Sequence, residues 1–180
     1  METQRFELFG GRTLHTAFFK DVKNSAALRQ AVLNQEINFA LINARMVVDL
    51  FAVHAAAARA LLCDQDNKLI TKTLNAELVF NLSGSRNVAE SFRRFGLTDE
   101  CDQILVCVFD ADEDAISKAL ALVDGTLIDT PSLKEALGPH LAPNDVAMIR
   151  KYYKIQDTEL QTSTLSDAVT SRIATKSCNK

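Results

Sequence analysis

A continuous apolar run from Gln103 to Phe109 constrains the fold of this chain more than any other segment. It reads QILVCVF and lacks the alternation of polar and apolar residues that marks a half-buried strand. An unbroken run of this length, rich in Val, Ile and Leu, is typical of a strand that is buried on both faces. We therefore expect this segment to lie in the middle of a sheet.

Length and composition indicate a single domain. The chain has 180 residues, of which 47% are hydrophobic, and this is enough for one core but not for two. We predict one domain over residues 1–175 and a frayed tail over residues 176–180. The N-terminal segment is polar, so we expect no secretory signal and expect free thiols in a reducing compartment.

Charge and residue spacing exclude several classes of function. The formal net charge is -3, so the chain is not a globally basic nucleic-acid binder, and any RNA contact must come from a local basic patch. The four cysteines include no CxxC pair and the three histidines are far apart, which predicts no metal site from these residues. We find no phosphate-binding loop, dinucleotide fingerprint or GxSxG motif. We therefore predict no catalytic residue and no cofactor.

The stretch from Thr71 to Gly96 is predicted to form a strand, a turn and a helix. Residues of one parity are apolar, which favours a half-buried strand: Leu74, Leu78, Phe80 and Leu82. Ser83-Gly84-Ser85 would end that strand. In the helix that follows, Asn87 suits the N-cap, Glu90 suits a capping box, and Gly96 suits a left-handed residue after the helix end.

A second segment, Val47 to Cys63, is predicted to be a helix that is apolar almost all round. Only Asp49, His54 and Arg59 are clearly polar in it. Such a helix is either central to the fold or covered by a partner, and we favour the central position. His54 is then interpreted as a packed core residue.

The remaining pattern completes an α+β fold. Two β-prone runs, residues 6–9 and 13–19, flank Gly10-Gly11-Arg12, which predicts an N-terminal hairpin of two extended strands. We expect a single compact domain with a largely antiparallel sheet flanked by helices. The other expected elements are helices beginning near Asn24 or Ser25, Pro143 and Thr164, strands over residues 39–43 and 126–129, and a helical turn from Pro131.

Two groups of residues have alternative interpretations. Carboxylates follow the buried strand and suit the N-terminus of a helix better than a Mg²⁺ site, because no phosphate loop or second ligand set accompanies them. An apolar stripe near the C-terminus can lie on the core or on another protein. The carboxylates are Asp110, Asp112, Glu113 and Asp114, and the stripe is Leu165, Val169 and Ile173.

Specific strings of residues add to these patterns. They include FKDVKN at residues 19–24, LIN at 41–43, VVD at 47–49, FNLS at 80–83 and KYYKI at 151–155. In this order, the strings resemble the CGI-type, PRPK-binding (TPRKB) family, whose members are small subunits of the KEOPS, or EKC, complex. The resemblance runs from about Ala17 to Ala174.

The resemblance implies a non-catalytic subunit that binds the small atypical kinase/ATPase of the complex, PRPK in animals. That complex places threonylcarbamoyl on the adenosine beside the anticodon of tRNAs that read codons beginning with A. Family members are also implicated in holding tRNA by its CCA end. We accordingly expect the chain in the cytoplasm and the nucleus. The alternative is an independent small enzyme of unrecognised mechanism, which activity assays on the isolated chain would distinguish.

The candidate site residues fall into two groups. The C-terminal stripe of Leu165, Val169 and Ile173 is predicted to bind the kinase-like partner. Residues 68–96 include five basic and two acidic side chains, a local net charge of +3. These basic side chains form either a solvated surface or an RNA contact. With the resemblance, we predict that Lys72, Arg86, Arg93 and Arg94 contact RNA. A second basic patch for an unpaired RNA end consists of Arg150, Lys151 and Lys154 beside Tyr152 and Tyr153.

Overall fold

The computed structural model describes residues 1–128, 133, 137 and 140–178. In this part of the chain, one antiparallel sheet has the strand order β1-β2-β4-β3, and β5 pairs with the end of β2. The strands are β1 (Glu2–Phe6), β2 (Arg12–Lys20), β3 (Ala40–Asn43), β4 (Ile104–Phe109) and β5 (Thr126–Leu127). The apolar run therefore forms a central strand, as predicted. Asp129, the predicted turn from Pro131 and residues 179–180 lie outside the described residues.

Helices cover both faces of the sheet. On β4, Leu105 and Cys107 belong to one buried cluster, whereas Ile104 and Val106 belong to the other. The helices are α1 (Ser25–Leu33), α2 (Leu50–Gln65), α3 (Leu74–Leu82), α4 (Val88–Phe95), α5 (Glu113–Ala121), α6 (Pro143–Tyr153) and α7 (Leu165–Ala174). The larger cluster includes side chains from α2, α3, α4, α6 and α7, and the smaller one includes side chains from α1 and α5. This arrangement confirms the predicted α+β fold.

The N-terminal hairpin is present, but its first strand lies earlier than predicted. Glu2 pairs with Thr16 and Phe6 with Arg12 in an antiparallel register. Residues 7–9, predicted to be extended, form a short 3-10 helix. The turn then passes through Gly10 and Gly11 with φ values of +70° and +75°, a region that glycine adopts without steric cost.

The prediction of a strand over residues 74–82 was wrong, because this segment is helix α3. Thr73 is its N-cap, and the Thr73 hydroxyl accepts a hydrogen bond from the amide of Ala76 at 3.1 Å. Every residue from Glu77 to Leu82 is buried. A helix buried on all sides has no polar stripe, so its apolar residues also fitted the period of a strand.

Helix α4 is confirmed, although its capping box and its C-terminus differ from the prediction. The Glu90 carboxylate accepts a hydrogen bond from the Ser85 hydroxyl at 3.1 Å, and the amide of Asn87 donates to that same hydroxyl. The Asn87 side chain accepts a hydrogen bond from the amide of Glu90 at 3.0 Å. Gly96 is extended, with φ at -75° and ψ at 176°, and is not left-handed. A Cβ atom at Gly96 would lie 2.6 Å from the carbonyl oxygen of Phe92, so close approach of the backbone requires glycine here.

The carboxylates after β4 act as helix and loop anchors. Asp112 caps α5 by accepting a hydrogen bond from the amide of Ala115 at 2.8 Å. Asp110 accepts hydrogen bonds from Arg12 at 2.7 Å and from the amide of Thr13 at 2.9 Å. Across the described residues, no group of three or more His, Cys, Asp or Glu side chains could hold a metal ion. The helix-terminus interpretation describes Asp112, Glu113 and Asp114, which cap α5 or lie in its first turn, whereas Asp110 anchors the strand end.

Two further features concern the ends and surfaces of the chain. Lys176 is 3% exposed, and this differs from the frayed conformation that we expected from residue 176 onward. Among the described residues, every helix is too short or too polar to cross a lipid bilayer.

Candidate protein and nucleic-acid interfaces

The potential acid, base and nucleophile groups are placed for packing. Burial lowers the pKa of His54 and of His140, and the His140 ring lies 2.8 Å from the carbonyl oxygen of Ala44. Burial raises the pKa of the Cys107 thiol to about 12. In the described part of the chain, no histidine hydrogen-bonds to a serine, cysteine or carboxylate side chain. His15 pairs with the hydroxyls of Thr3 at 2.9 Å and Thr13 at 3.4 Å in the N-terminal hairpin, and no carboxylate among the described residues orients its ring.

The C-terminal stripe lies mostly in the core. Val169 is 1% exposed and Ile173 is 0% exposed, and both pack in the larger cluster. Leu165 is half-buried at the edge of that cluster. Two of the three side chains thus lack the exposed area that a direct contact needs. The role of α7 in partner binding stays a prediction, and core packing describes the stripe in the isolated chain.

Helix α2 is central, as predicted, but it also leaves one apolar face uncovered. Its inner residues include Val53, Ala57 and Leu61, all almost completely buried. On the outer side, Phe51 is 62% exposed and Leu62 is 49% exposed. The half-buried Ala55 and Ala58 lie between them at helical spacing. We call Phe51, Ala55, Ala58 and Leu62 the outer face of α2. It extends over about 16 Å, given the rise of a helix.

The four predicted RNA-binding residues do not form one patch. Lys72 is exposed just before α3, whereas Arg86 follows α3 and donates a hydrogen bond to the carbonyl of Ser177 at 2.9 Å. Arg93 is exposed on α4. Arg94 instead lies over the ring of Tyr152, with 5.6 Å between the guanidinium carbon and the ring centroid. Arg94 therefore joins the second basic patch rather than the first.

A cleft of about 1000 Å³ brings this second patch together. Its charged lining consists of four cations and one carboxylate, and its aromatic lining comes from two adjacent tyrosines of α6. A smaller depression of about 410 Å³ shares Lys151 and Lys154 with it and adds Arg150. The charged and aromatic residues of the main cleft, called the basic cleft below, are Glu90, Arg94, Lys151, Lys154, Arg172, Tyr152 and Tyr153.

Local packing holds the two tyrosines in place. A Cβ atom at Gly84 would lie 3.1 Å from the Tyr153 ring, so glycine allows the ring to approach the backbone. The Tyr153 hydroxyl donates a hydrogen bond to the carbonyl of Leu82, and the Tyr152 hydroxyl is paired with Ser83. Burial raises the pKa of both tyrosines, which keeps their hydroxyls neutral near pH 7.

Two lysines are the cations best placed to bind an anion in the cleft. Arg172 forms a two-pronged ion pair with Glu159 at 2.6 Å and 2.7 Å, and Arg150 is paired with Asp157. Lys151 and Lys154 are exposed and form no ion pair with any described residue. The sequence signal for this site was the pair of tyrosines flanked by lysines in KYYK.

The comparisons with known proteins identify the family. Residues 19–177 match the family described as kinase binding protein CGI-121. The chain belongs to the CGI-121 family. It is 39% identical over 97% of both chains to a zebrafish (Danio rerio) protein named EKC/KEOPS complex subunit TPRKB.

Fungal proteins named EKC/KEOPS complex subunit CGI121 are also similar. The protein from Coccidioides immitis is 34% identical over 78% of this chain and 69% of its own length. The protein from Candida glabrata is 30% identical over 86% of this chain and 85% of its own length. The family of this chain is thus represented in both animals and fungi.

Proposed function

We propose that this CGI-121 family member is a non-catalytic subunit of an EKC/KEOPS-type complex that makes threonylcarbamoyladenosine in tRNA. It binds and supports a PRPK-type kinase/ATPase subunit, helps to hold tRNA, and acts in the cytoplasm and nucleus. The observation that carries this proposal is the family match over residues 19–177, together with relatives named as subunits of that complex. The two surfaces described above suit the two binding tasks.

The outer face of α2 is the surface that best suits the kinase subunit. An exposed aromatic ring, Phe51, and an exposed leucine, Leu62, stand at its two ends. The alanines between them let a partner approach the helix closely, because their side chains are small. Aromatic side chains are enriched among the residues that dominate binding energy at protein interfaces.

We predict that Phe51→Asp weakens binding of the kinase subunit by about 30-fold or more, because it replaces the aromatic ring of an apolar contact with a charge. Leu62→Asp, at the other end of the same face, is expected to act in the same direction. Both side chains are largely solvated, so the melting temperature should stay within a few degrees. Isothermal titration calorimetry with the purified kinase subunit gives the affinity.

Leu122→Asp is the matched control for this measurement. Leu122 is 49% exposed, as is Leu62, but it follows α5 on the opposite side of the sheet. Its substitution should leave the affinity unchanged. Wild-type affinity of Phe51→Asp and Leu62→Asp would show that the kinase subunit binds another surface.

The basic cleft is the surface that best suits the unpaired end of an RNA. Single-stranded nucleic acid is held by cations that follow the phosphates and by aromatic rings on which bases stack. The cleft provides both, since Lys151 and Lys154 form no ion pair with the described residues and Tyr152 lies beside the guanidinium of Arg94. The exposed arginines of the first patch provide charge alone.

We predict that the double substitution Lys151→Glu/Lys154→Glu weakens tRNA binding tenfold or more across tRNA sequences. It should also flatten the salt dependence of binding by up to about two phosphate contacts, because each lost contact removes one counterion-release step. The control Arg86→Glu/Arg93→Glu carries the same change of charge outside the cleft. Filter binding at several salt concentrations gives both quantities. A larger loss in Arg86→Glu/Arg93→Glu than in Lys151→Glu/Lys154→Glu would place the contact around α4, and equal losses would contradict a contact specific to the cleft.

A further inference from the structure

Side chains from the body of the domain hold the C-terminal turn, residues 174–178. Arg59 of α2 donates a hydrogen bond to the carbonyl of Ala174 at 2.9 Å, and Arg86 donates one to the carbonyl of Ser177 at 2.9 Å. Lys176 reaches in the opposite direction, from the turn into the domain, and donates a hydrogen bond to the carbonyl of Phe80. Three side-chain hydrogen bonds therefore hold the turn against the domain.

The site of Lys176 is unusual for a lysine, because only 3% of the residue is exposed. The amine lies 3.2 Å from the centroid of the Phe80 ring. Among the described residues, the titratable groups whose charges act on the amine are Glu77 of α3 and Arg59 and Cys63 of α2. Within the described residues, the amine forms no ion pair.

This site fits a neutral amine better than an ammonium ion. An ammonium has three N–H donors, and one described acceptor, the carbonyl of Phe80, is within hydrogen-bond reach. The ring face and the charge of Glu77 favour the ammonium, but loss of water opposes it more strongly. Burial thus lowers the pKa of Lys176 from 10.5 to about 7.

We propose that the C-terminal turn is a proton-linked latch, in which Lys176 docks as a neutral amine between α2 and α3 and one proton leaves to solvent. Protonation of the amine favours the open turn. Opening also releases Arg86, because the carbonyl that it binds belongs to the turn. Opening of the turn after α7 therefore frees the guanidinium of Arg86, which lies just before α4.

The sign of the pH dependence follows from the two states of the lysine. The open turn has the ordinary pKa of 10.5 and the docked turn has a pKa of about 7. The equilibrium constant for opening therefore rises about tenfold for each pH unit lost between 10 and 7, and it levels off below 7. Docking is strongest at alkaline pH.

Hydrogen exchange of the full chain tests the latch. The amides of Thr175, Lys176 and Cys178 bond within the turn or to the last turn of α7, so their exchange reports opening. After correction for intrinsic exchange, wild-type opening at pH 7 should exceed opening at pH 9 by about 50-fold. Lys176→Met, which keeps an unbranched side chain without a titratable group, should show no such dependence. Lys118→Met, an exposed lysine of α5, should behave as wild type.

Direct titration keeps the proposal testable if Lys176→Met does not fold. The NMR signal of the Lys176 side-chain carbon next to the amine should titrate with a midpoint near 7 in the wild-type chain. A midpoint near 10.5 would overturn the latch, as would opening that is independent of pH in the wild type or equally dependent on pH in Lys176→Met. Arg86→Gln should raise opening at every pH and leave the slope unchanged.

Discussion

Val169→Glu is expected to unfold the domain. Val169 is 1% exposed, and the introduced carboxylate would lie among apolar side chains without a partner. We expect the free energy of unfolding to fall by on the order of 4 kcal/mol or more. That is a large part of the roughly 5–15 kcal/mol that holds a typical domain folded. Urea denaturation followed by circular dichroism measures the loss.

Ser171→Glu is the matched control on the same helix. Ser171 is exposed on α7, so its substitution should change the free energy of unfolding by less than about 0.5 kcal/mol. A Val169→Glu variant that stays folded but no longer binds the kinase subunit would support the alternative, that the stripe of Leu165, Val169 and Ile173 is an interface. Such a result would contradict the core packing of α7.

Glu77→Ala is expected to produce the second large loss of stability. Glu77 is 0% exposed, although it is charged. One carboxylate oxygen accepts hydrogen bonds from the amides of Ile70 and Thr71 at 3.1 Å and 2.8 Å and from the Thr71 hydroxyl at 2.7 Å. Removing the carboxylate leaves the two amides without their acceptor, whereas the Thr71 hydroxyl keeps the carbonyl of Thr73 at 3.1 Å. We expect the free energy of unfolding to fall by about 3 kcal/mol, since hydrogen bonds to a charged group are stronger than average.

Two control substitutions separate the stability that comes from the hydrogen bonds of Glu77 from the effect of its charge and from the effect of removing any partly buried carboxylate. Glu77→Gln keeps one acceptor oxygen in nearly the same volume, so it should lose less stability than Glu77→Ala. Glu90→Ala removes a half-buried carboxylate that accepts one side-chain hydrogen bond, from Ser85 at 3.1 Å, and should cost about 0.5–1 kcal/mol. Equal losses for Glu77→Ala and Glu90→Ala would contradict an anchoring role for Glu77.

The sequence alone predicted separate parts of the candidate sites but not how they come together. The basic and aromatic residues of KYYK were visible as a possible RNA contact. Arg94 is more than fifty positions away in the chain, and only the packing of α4 against α6 brings its guanidinium over Tyr152. The outer face of α2 was equally hidden, because an apolar helix does not show in sequence which of its residues remain exposed.

By itself, the sequence determined the features that depend on neighbouring residues. Asn87 and Thr164 cap helices through their own side chains, and Gly10 and Gly11 form the hairpin turn. The unbroken apolar run of β4 predicted a central strand because no solvent-exposed strand face tolerates such a run. These interactions form within a few residues, so local patterns are sufficient to predict them.

The tertiary structure alone decided how fully buried segments are used. Residues 74–82 form a helix and not a strand, because burial on all sides removes the polar stripe that distinguishes the two periods. The same packing turned Val169 and Ile173 inward and placed Lys176 between two helices. Which face of an apolar segment is covered depends on residues far away in the chain, and no local pattern encodes their position.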